Sequence, residues 1–164
     1  MKGRELLEVI YQRRSIRKYE KKPIPEEILK AILEAGRLAP TAKNLQPWHF
    51  IVVRDPEIKR KLIFTDWNNF IEEASTVIVG CGETDKKWAV VDVAIALQNM
   101  VIAAEALGLG SCWIGAFEEE EVKRVLEVPN HLKVVAMVTI GYPAERPEPP
   151  PKKKLEEIVH FEKF

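Results

Sequence analysis

Cysteine is scarce: Cys81 and Cys112 are the only two in 164 residues, and neither belongs to a CxxC pair or a metal-ligand spacing. Both lie in apolar stretches, which predicts buried, reduced thiols rather than a disulfide or a metal pair. His49, His131 and His160 are too scattered to suggest a metal site and read as structural. Four motifs are missing: a GxGxxG after a strand, a GxxxxGK[ST] phosphate loop, HExxH, and a GxSxG elbow. Dedicated nucleotide domains, metal hydrolysis and serine nucleophiles lose weight accordingly. Net charge is missing as well, since 25 basic and 25 acidic residues cancel. No global field would hold the protein on nucleic acid or an anionic membrane, so neither is expected as a partner and any anion site must be local. The length suits one domain, residues 1–164. No positively charged leader with an apolar core opens the chain, so an intracellular, cytoplasmic setting is expected.

What is present mixes helix and strand without strict βαβ alternation. Residues 4–12 carry Leu6, Leu7 and Ile10 on one helical face, and a basic knot follows where positive charge complements a helix C-terminus. Pro25 suits a first helical position, Glu26 and Glu27 an acidic first turn, and Ile28, Ile32 and Ala35 repeat at helical spacing until Pro40. Residues 49–54, 76–82 and 134–142 read as strands, the last apolar enough to be covered on both faces. Residues 118–121 read as the acidic first turn of another helix, with Glu119 to Lys123 and Glu120 to Arg124 as pairs one turn apart.

Residues 88–107 form a long, mostly apolar stretch that could span about 30 Å as a helix. Asp92, Gln98, Asn99 and Glu105 argue against a bilayer, where one carboxylate costs roughly 3 kcal/mol. These groups recur seven apart on two stripes, Asp92 with Asn99 and Gln98 with Glu105. That pattern predicts a helix buried in protein on nearly every side, partly by a second subunit, and ended by Gly108 and Gly110. Further on, Pro143, Pro147, Pro149, Pro150 and Pro151 predict an extended arm over 141–154. Residues 155–161, with Ile158, Val159 and Phe161, regain strand character. An arm that travels and then pairs would add an edge strand to a neighbour's sheet.

Four stretches carry candidate chemistry. Arg13, Arg14, Ser15 and Arg17 gather three guanidinium groups around a hydroxyl, which suits phosphate, although a bare basic run also reads as solvated surface. Lys152, Lys153 and Lys154 are a second cationic patch, or a solubilising tail. In the loop 40–47, the amides of Asn44 and Gln46 could read the edge of a flat polar heterocycle that Thr41 and Ala42 are small enough to admit. Pro, Thr and Asn are also plain turn formers. In 108–117, small residues bring backbone within reach of an aromatic face.

Taken together, Arg13-Arg14-Ser15-Ile16-Arg17, the loop Pro40-Thr41-Ala42-Lys43-Asn44-Leu45-Gln46-Pro47 with the strand after it, and Ile114-Gly115-Ala116 resemble the nitroreductase family of flavin mononucleotide (FMN) enzymes. The resemblance implies an α+β sandwich: a central, mainly antiparallel sheet flanked by helices and completed in a homodimer by an exchanged C-terminal strand, with 141–164 as arm and strand. It implies that Arg13, Arg14 and Ser15 hold the FMN phosphate and ribityl chain, and that Arg17 supplies positive charge near flavin N1 and O2. Pro40, Thr41, Ala42 and Asn44, with Gln46 in the same loop, would approach the ring from the other subunit. Gly115 would offer its backbone N–H to N5 between Ile114 and Ala116, and Lys152 and Lys154 would reach the phosphate. The implied activity is ping-pong hydride transfer from NAD(P)H to nitroaromatic, quinone or similar electron-poor acceptors. A flavin-binding storage or sensor protein would keep the phosphate contacts but lack a pocket for NAD(P)H. Two departures stand out: many relatives carry glutamate where this chain has Gly115, and only 55–73 and 83–88 remain to roof the pocket. Asn68 or Asn69 stands for a family asparagine near the ring, and the sequence does not choose between them.

Overall fold

The runs richest in β-branched residues become the inner strands, and the segments opened by Pro25 and Asp55 become helices. The computed structural model describes residues 3–164. Helices α1 (Gly3–Gln12) and α2 (Glu26–Arg37) lead to strand β1 (Trp48–Val53). Two short helices follow, α3 (Pro56–Arg60) and α4 (Phe70–Glu73), then β2 (Thr76–Glu83), the long α5 (Ala89–Ala106), β3 (Gly110–Ile114), α6 (Glu119–Leu126) and β4 (Leu132–Gly141). The Asp55 side chain accepts from the Ile58 N–H at 2.9 Å, capping α3 with Pro56 at its first position.

The four strands form one antiparallel sheet in the order β1-β2-β4-β3. Alternation along β2 sends Val77, Val79 and Cys81 to one face, where they pack with Met137, Cys112, Ile114, Phe70 and Val122. Ile78 faces the other way with Ala136, Val138 and Ile140, against Leu29 and Ile32 of α2 and Val93, Leu97 and Met100 of α5. The sheet is therefore covered on both faces, in the α+β arrangement the sequence implied. Cys81 and Cys112 are buried free thiols, as their apolar surroundings predicted.

The two polar stripes of α5 find separate partners. Asn99 donates to the Ala35 carbonyl (3.2 Å) and Asp92 lies 3.4 Å from the Ala42 N–H. On the other stripe Gln98 accepts from Trp113 Nε1 (3.1 Å), while Glu105 pairs with Arg146 (3.0 Å). Between them an apolar strip containing Trp88, Val91 and Ile95 stays exposed, so within one chain the helix is less enclosed than its composition predicted.

Three local details go beyond the sequence reading. Residues 110–114 form a strand that composition did not signal, because Gly, Ser and Cys carry little β-propensity and pairing with β4 supplies the stabilisation. Residues 155–161 form no strand within the chain. Leu155–Glu157 is a 3₁₀ turn, closed by the Lys154 N–H donating to the Glu157 carboxylate at 2.7 Å. In α6, Arg124 pairs with Glu121 rather than Glu120, and Glu119 accepts from the Val134 N–H at 3.1 Å instead of pairing with Lys123. A backbone donor on β4, beside the bulge at Gly80 and Cys81, outcompetes the half-buried Lys123.

Gly110 permits the closest approach in the sheet: a Cβ there would lie 2.6 Å from Ile16 Cγ1 and 2.9 Å from Ile16 Cβ. Gly110→Ala is expected to lower the unfolding free energy by about 1–3 kcal/mol. Gly115→Ala, whose Cβ would meet nothing within 4 Å, should stay within about 0.5 kcal/mol of the parent. Urea denaturation compares the two, and equal stability for the pair would show that Ile16 is not seated on β3.

Candidate functional site

Helix α1 ends by spending an arginine on its own carbonyls: Arg14 Nη1 donates to Tyr11 O (2.8 Å) and Arg13 O (2.9 Å). The chain then runs along the edge of β3. Ser15 bridges to Ser111, and the Ile16 N–H donates to Ser111 O at 2.9 Å. Ile16 and Tyr19 are buried, and the Tyr19 hydroxyl donates to Ile16 O (2.7 Å) beside Thr139 Oγ1 (2.8 Å). Thr139 in turn reaches Cys112 O at 3.3 Å. The charged residues of this segment are thus held by a buried, fully partnered polar chain beneath them.

The C-terminal arm returns to the same place. The Ala144 N–H donates to Lys18 O (2.9 Å), and the Glu145 carboxylate accepts from the Arg17 N–H (2.8 Å). Beyond them, Arg146 Nη2 donates to both Gln12 O (3.1 Å) and Glu105 (3.0 Å). The result is a cavity of about 490 Å³ with Arg13, Arg14, Ser15 and Arg17 on one wall and Pro147 to Pro150 with Lys152 on the other. Four cations face one carboxylate, Glu148. Lys154 does not line this cavity.

At the end of β3, Ile114 is buried while Gly115 and Ala116 are exposed. The buried Asn68 amide donates to Ala116 O at 2.8 Å, whereas Asn69 lines a separate cavity with Lys21 and Lys22. The asparagine beside residues 114–116 is Asn68. Its neighbour Trp67 is 87% exposed, the least covered tryptophan in the chain.

The loop 40–47 is strained. Lys43, Asn44 and Gln46 hold φ values of 53, 55 and 52°, left-handed backbone that non-glycine residues rarely adopt. The Gln46 N–H donates to Thr41 Oγ1 (3.1 Å) and its side-chain amide to Asn44 O (3.3 Å), so one candidate amide serves the loop itself. Asn44 and Pro40 are exposed, and Thr41 and Ala42 half-buried. This loop meets α5 at Asp92, while the arm that walls the cationic cavity meets it through Arg146 at Glu105, about 20 Å further along the helix. Within one chain the two groups of candidate residues are not brought together.

Sequence reasoning missed Tyr19, Thr139, Glu145 and the Glu105 to Arg146 pair. Tyr19 and Glu145 sit in polar runs with no periodicity to mark them, and Arg146 acts across 41 residues of chain. Among the described residues no group of His, Cys, Asp and Glu could hold a metal ion.

A model of the nitroreductase family matches residues 10–73 and 64–142. An NADH dehydrogenase of Thermus thermophilus is 34% identical, with 90% of this chain and 91% of its own length covered. Among solved structures, an FMN-dependent nitroreductase from Clostridium difficile is similar with a TM-score of 0.86 at 31% identity, covering 96% of this chain and 99% of that one. NfrA1 of B. megaterium reaches a TM-score of 0.91 at 33% identity, covering 97% of this chain and 74% of that one.

Burial raises the Cys112 thiol, against the pull of Arg17, Ser15 and Arg13, and pushes Cys81 from 9.0 up to about 11. Tyr19 is raised by the same cause. The unfolded chain ionises these groups at lower pH than the folded one. The stability linked to Cys81 is therefore full below pH 9 and lost as pH rises from 9 towards about 11. Urea midpoints should fall across that window, and fall less in Cys81→Ala; equal slopes in the two proteins would remove Cys81 as a cause.

Proposed function

The chain belongs to the nitroreductase family, and on that premise we propose that it is an FMN-dependent oxidoreductase that draws electrons from NAD(P)H and passes them to nitroaromatic, quinone or similarly electron-poor acceptors. The observation that carries the reading is the cavity of about 490 Å³ in which Arg13, Arg14, Ser15, Arg17 and Lys152 converge. Guanidinium, hydroxyl and ammonium donors facing one another are the chemistry that holds a phosphate monoester with a polyol chain. The residues present therefore fit FMN. When bound, FMN supplies a ring that accepts hydride at N5 and releases it to a second substrate.

The chain's own task is to hold and orient. Arg13 and Ser15 hold the phosphate end; Arg14 contributes less, since its guanidinium is committed to the end of α1. The Arg17 backbone is fixed by Glu145, which leaves its guanidinium to place positive charge at the N1 and O2 edge. Gly115, on an open stretch of backbone between Ile114 and Ala116, would offer its N–H to the flavin ring. Asn68, fixed by Ala116 O, would stand beside the ring there. Trp67 beside it is 87% exposed and would be free to wall a space that NAD(P)H and acceptor would share.

A second copy of the chain completes the site. A two-fold axis across the middle of α5, near Gln98 and Asn99, would set two α5 helices antiparallel, bring the Asp92 end of one to the Glu105 end of the other and cover the exposed Val91 and Ile95. Pro40, Thr41, Ala42, Asn44 and Gln46 of one copy would then face Arg13 to Arg17 of the other. The exposed side chains Leu155, Ile158 and Phe161 support an arm that crosses to the partner, where β1 pairs on one side only. Lys154 would reach the phosphate only if the arm settles differently in the dimer.

Titrating apoprotein with FMN, then adding NADH or NADPH without oxygen, tests the reading. Arg13→Ala should weaken FMN by about 1.5–3 kcal/mol, and the flavin band near roughly 450 nm should bleach in the parent. Unchanged affinity would remove the cluster from the site, and FMN-loaded protein that neither nucleotide bleaches would be a storage or sensor module.

Deleting everything after Pro147 should abolish dimerisation and FMN retention together, read by light scattering and flavin absorbance on one gel-filtration peak. A truncated protein that stays dimeric and yellow would overturn the role of the arm.

A further inference from the structure

We propose that the Glu105 to Arg146 ion pair is a latch that sets the position of Lys152 and so tunes the grip on the phosphate end of FMN; the inference rests on the FMN reading above. The arm has little else to fix it. Residues 145–154 belong to no helix or strand, and among the described residues the hydrogen bonds that tie the arm down fall at Tyr142, Ala144, Glu145 and Arg146, before the first internal bond at Lys154. From Pro147 onward a proline-rich chain is stiff, extending about 3.1 Å per residue without internal hydrogen bonds. A stiff segment transmits direction, so the angle at which the arm leaves Arg146 decides where Lys152 arrives.

Glu105 is otherwise hard to explain. It occupies the last turn of α5, where the helix dipole disfavours negative charge, and its side chain is only 12% exposed. A largely buried carboxylate at that end needs a cation, and Arg146 supplies it. The same guanidinium nitrogen also donates to Gln12 O, the last carbonyl of α1. One side chain thereby registers the arm against the helix that carries Arg13 to Ser15, so both walls of the cavity are set from a single point. Arg146 itself lines a different cavity, with Gln12, Glu105 and Leu109, and acts on the phosphate through Lys152. It is a positioning residue.

A double-mutant cycle on apoprotein tests the latch, with FMN and riboflavin affinity read by quenching of flavin fluorescence. Arg146→Ala should weaken FMN about tenfold, the loss of one net hydrogen-bonded charge contact. In a Lys152→Ala background the same substitution should cost less than about twofold, because its effect runs through Lys152. Riboflavin, which lacks the phosphate, should bind Arg146→Ala as it binds the parent, whereas general loosening would weaken both ligands. Glu105→Gln keeps the acceptor without the charge and should give an intermediate loss; it carries the cycle if Arg146→Ala does not fold. Additive losses in the double variant, or equal losses for FMN and riboflavin, would overturn the latch. A parent protein that binds no FMN would instead overturn the functional reading itself.

Discussion

The seat of Ile16 against Gly110 governs the cationic half of the candidate site. Ile16 is 2% exposed, and burying such a side chain contributes about 1.5–3 kcal/mol. That anchor, with the Ser111 hydrogen bond and the Tyr19 hydroxyl beneath it, holds in place a segment whose other members, Arg13, Arg14, Arg17 and Lys18, repel one another. The arm then docks on this segment at Lys18 O and the Arg17 N–H. Release Ile16, and both walls of the cavity lose their common support. A site made of charge is positioned here by an apolar contact and a glycine that makes room for it.

Helix α5 divides the molecule's polar functions along its length. Asp92 and Asn99 serve the strained loop and α2, while Gln98 and Glu105 serve β3 and the arm. Helix rise separates Asp92 from Glu105 by about 20 Å. No rotamer change bridges that span, so one chain presents its two groups of candidate residues at opposite ends of one rod. Isologous pairing of the rod about its middle is the arrangement that would join unlike ends twice over, and it would cover Val91 and Ile95 at the same time.

Legibility in the sequence followed the range of the interactions. Strands β1, β2 and β4 were visible from apolar runs, and α1, α2 and α5 from periodicity and caps, each within two or three residues at the ends. Strand β3 was hidden because Gly110, Ser111 and Cys112 form a strand only in contact with β4. The tail is the opposite case: Ile158, Val159 and Phe161 have strand character, and within one chain the nearby Glu157 carboxylate closes a turn just before them. In the candidate site, Arg13, Arg14, Ser15, Arg17 and Lys152 were legible by charge and converge on one cavity, whereas Asn68 and Asn69 are chemically identical and only the 2.8 Å contact with Ala116 O separates them.

The missing phosphate-binding motifs and the arginine cluster have a common physical origin. Phosphate loops place the anion at a helix N-terminus, where backbone N–H groups and the helix dipole both favour it, and glycines let the backbone come close. Here the cavity lies beyond the C-terminus of α1, the end whose carbonyls repel an anion. Backbone cannot supply the attraction at such an end, so full side-chain charges must. One of them, Arg14, neutralises the helix end by binding Tyr11 O and Arg13 O. Arg146 does the same at Gln12 O. Only after those carbonyls are covered can Arg13, Arg17 and Lys152 present a net positive field to the cavity. The cations near the end of α1 therefore split by role, with Arg14 and Arg146 covering its carbonyls and Arg13, Arg17 and Lys152 left facing the cavity.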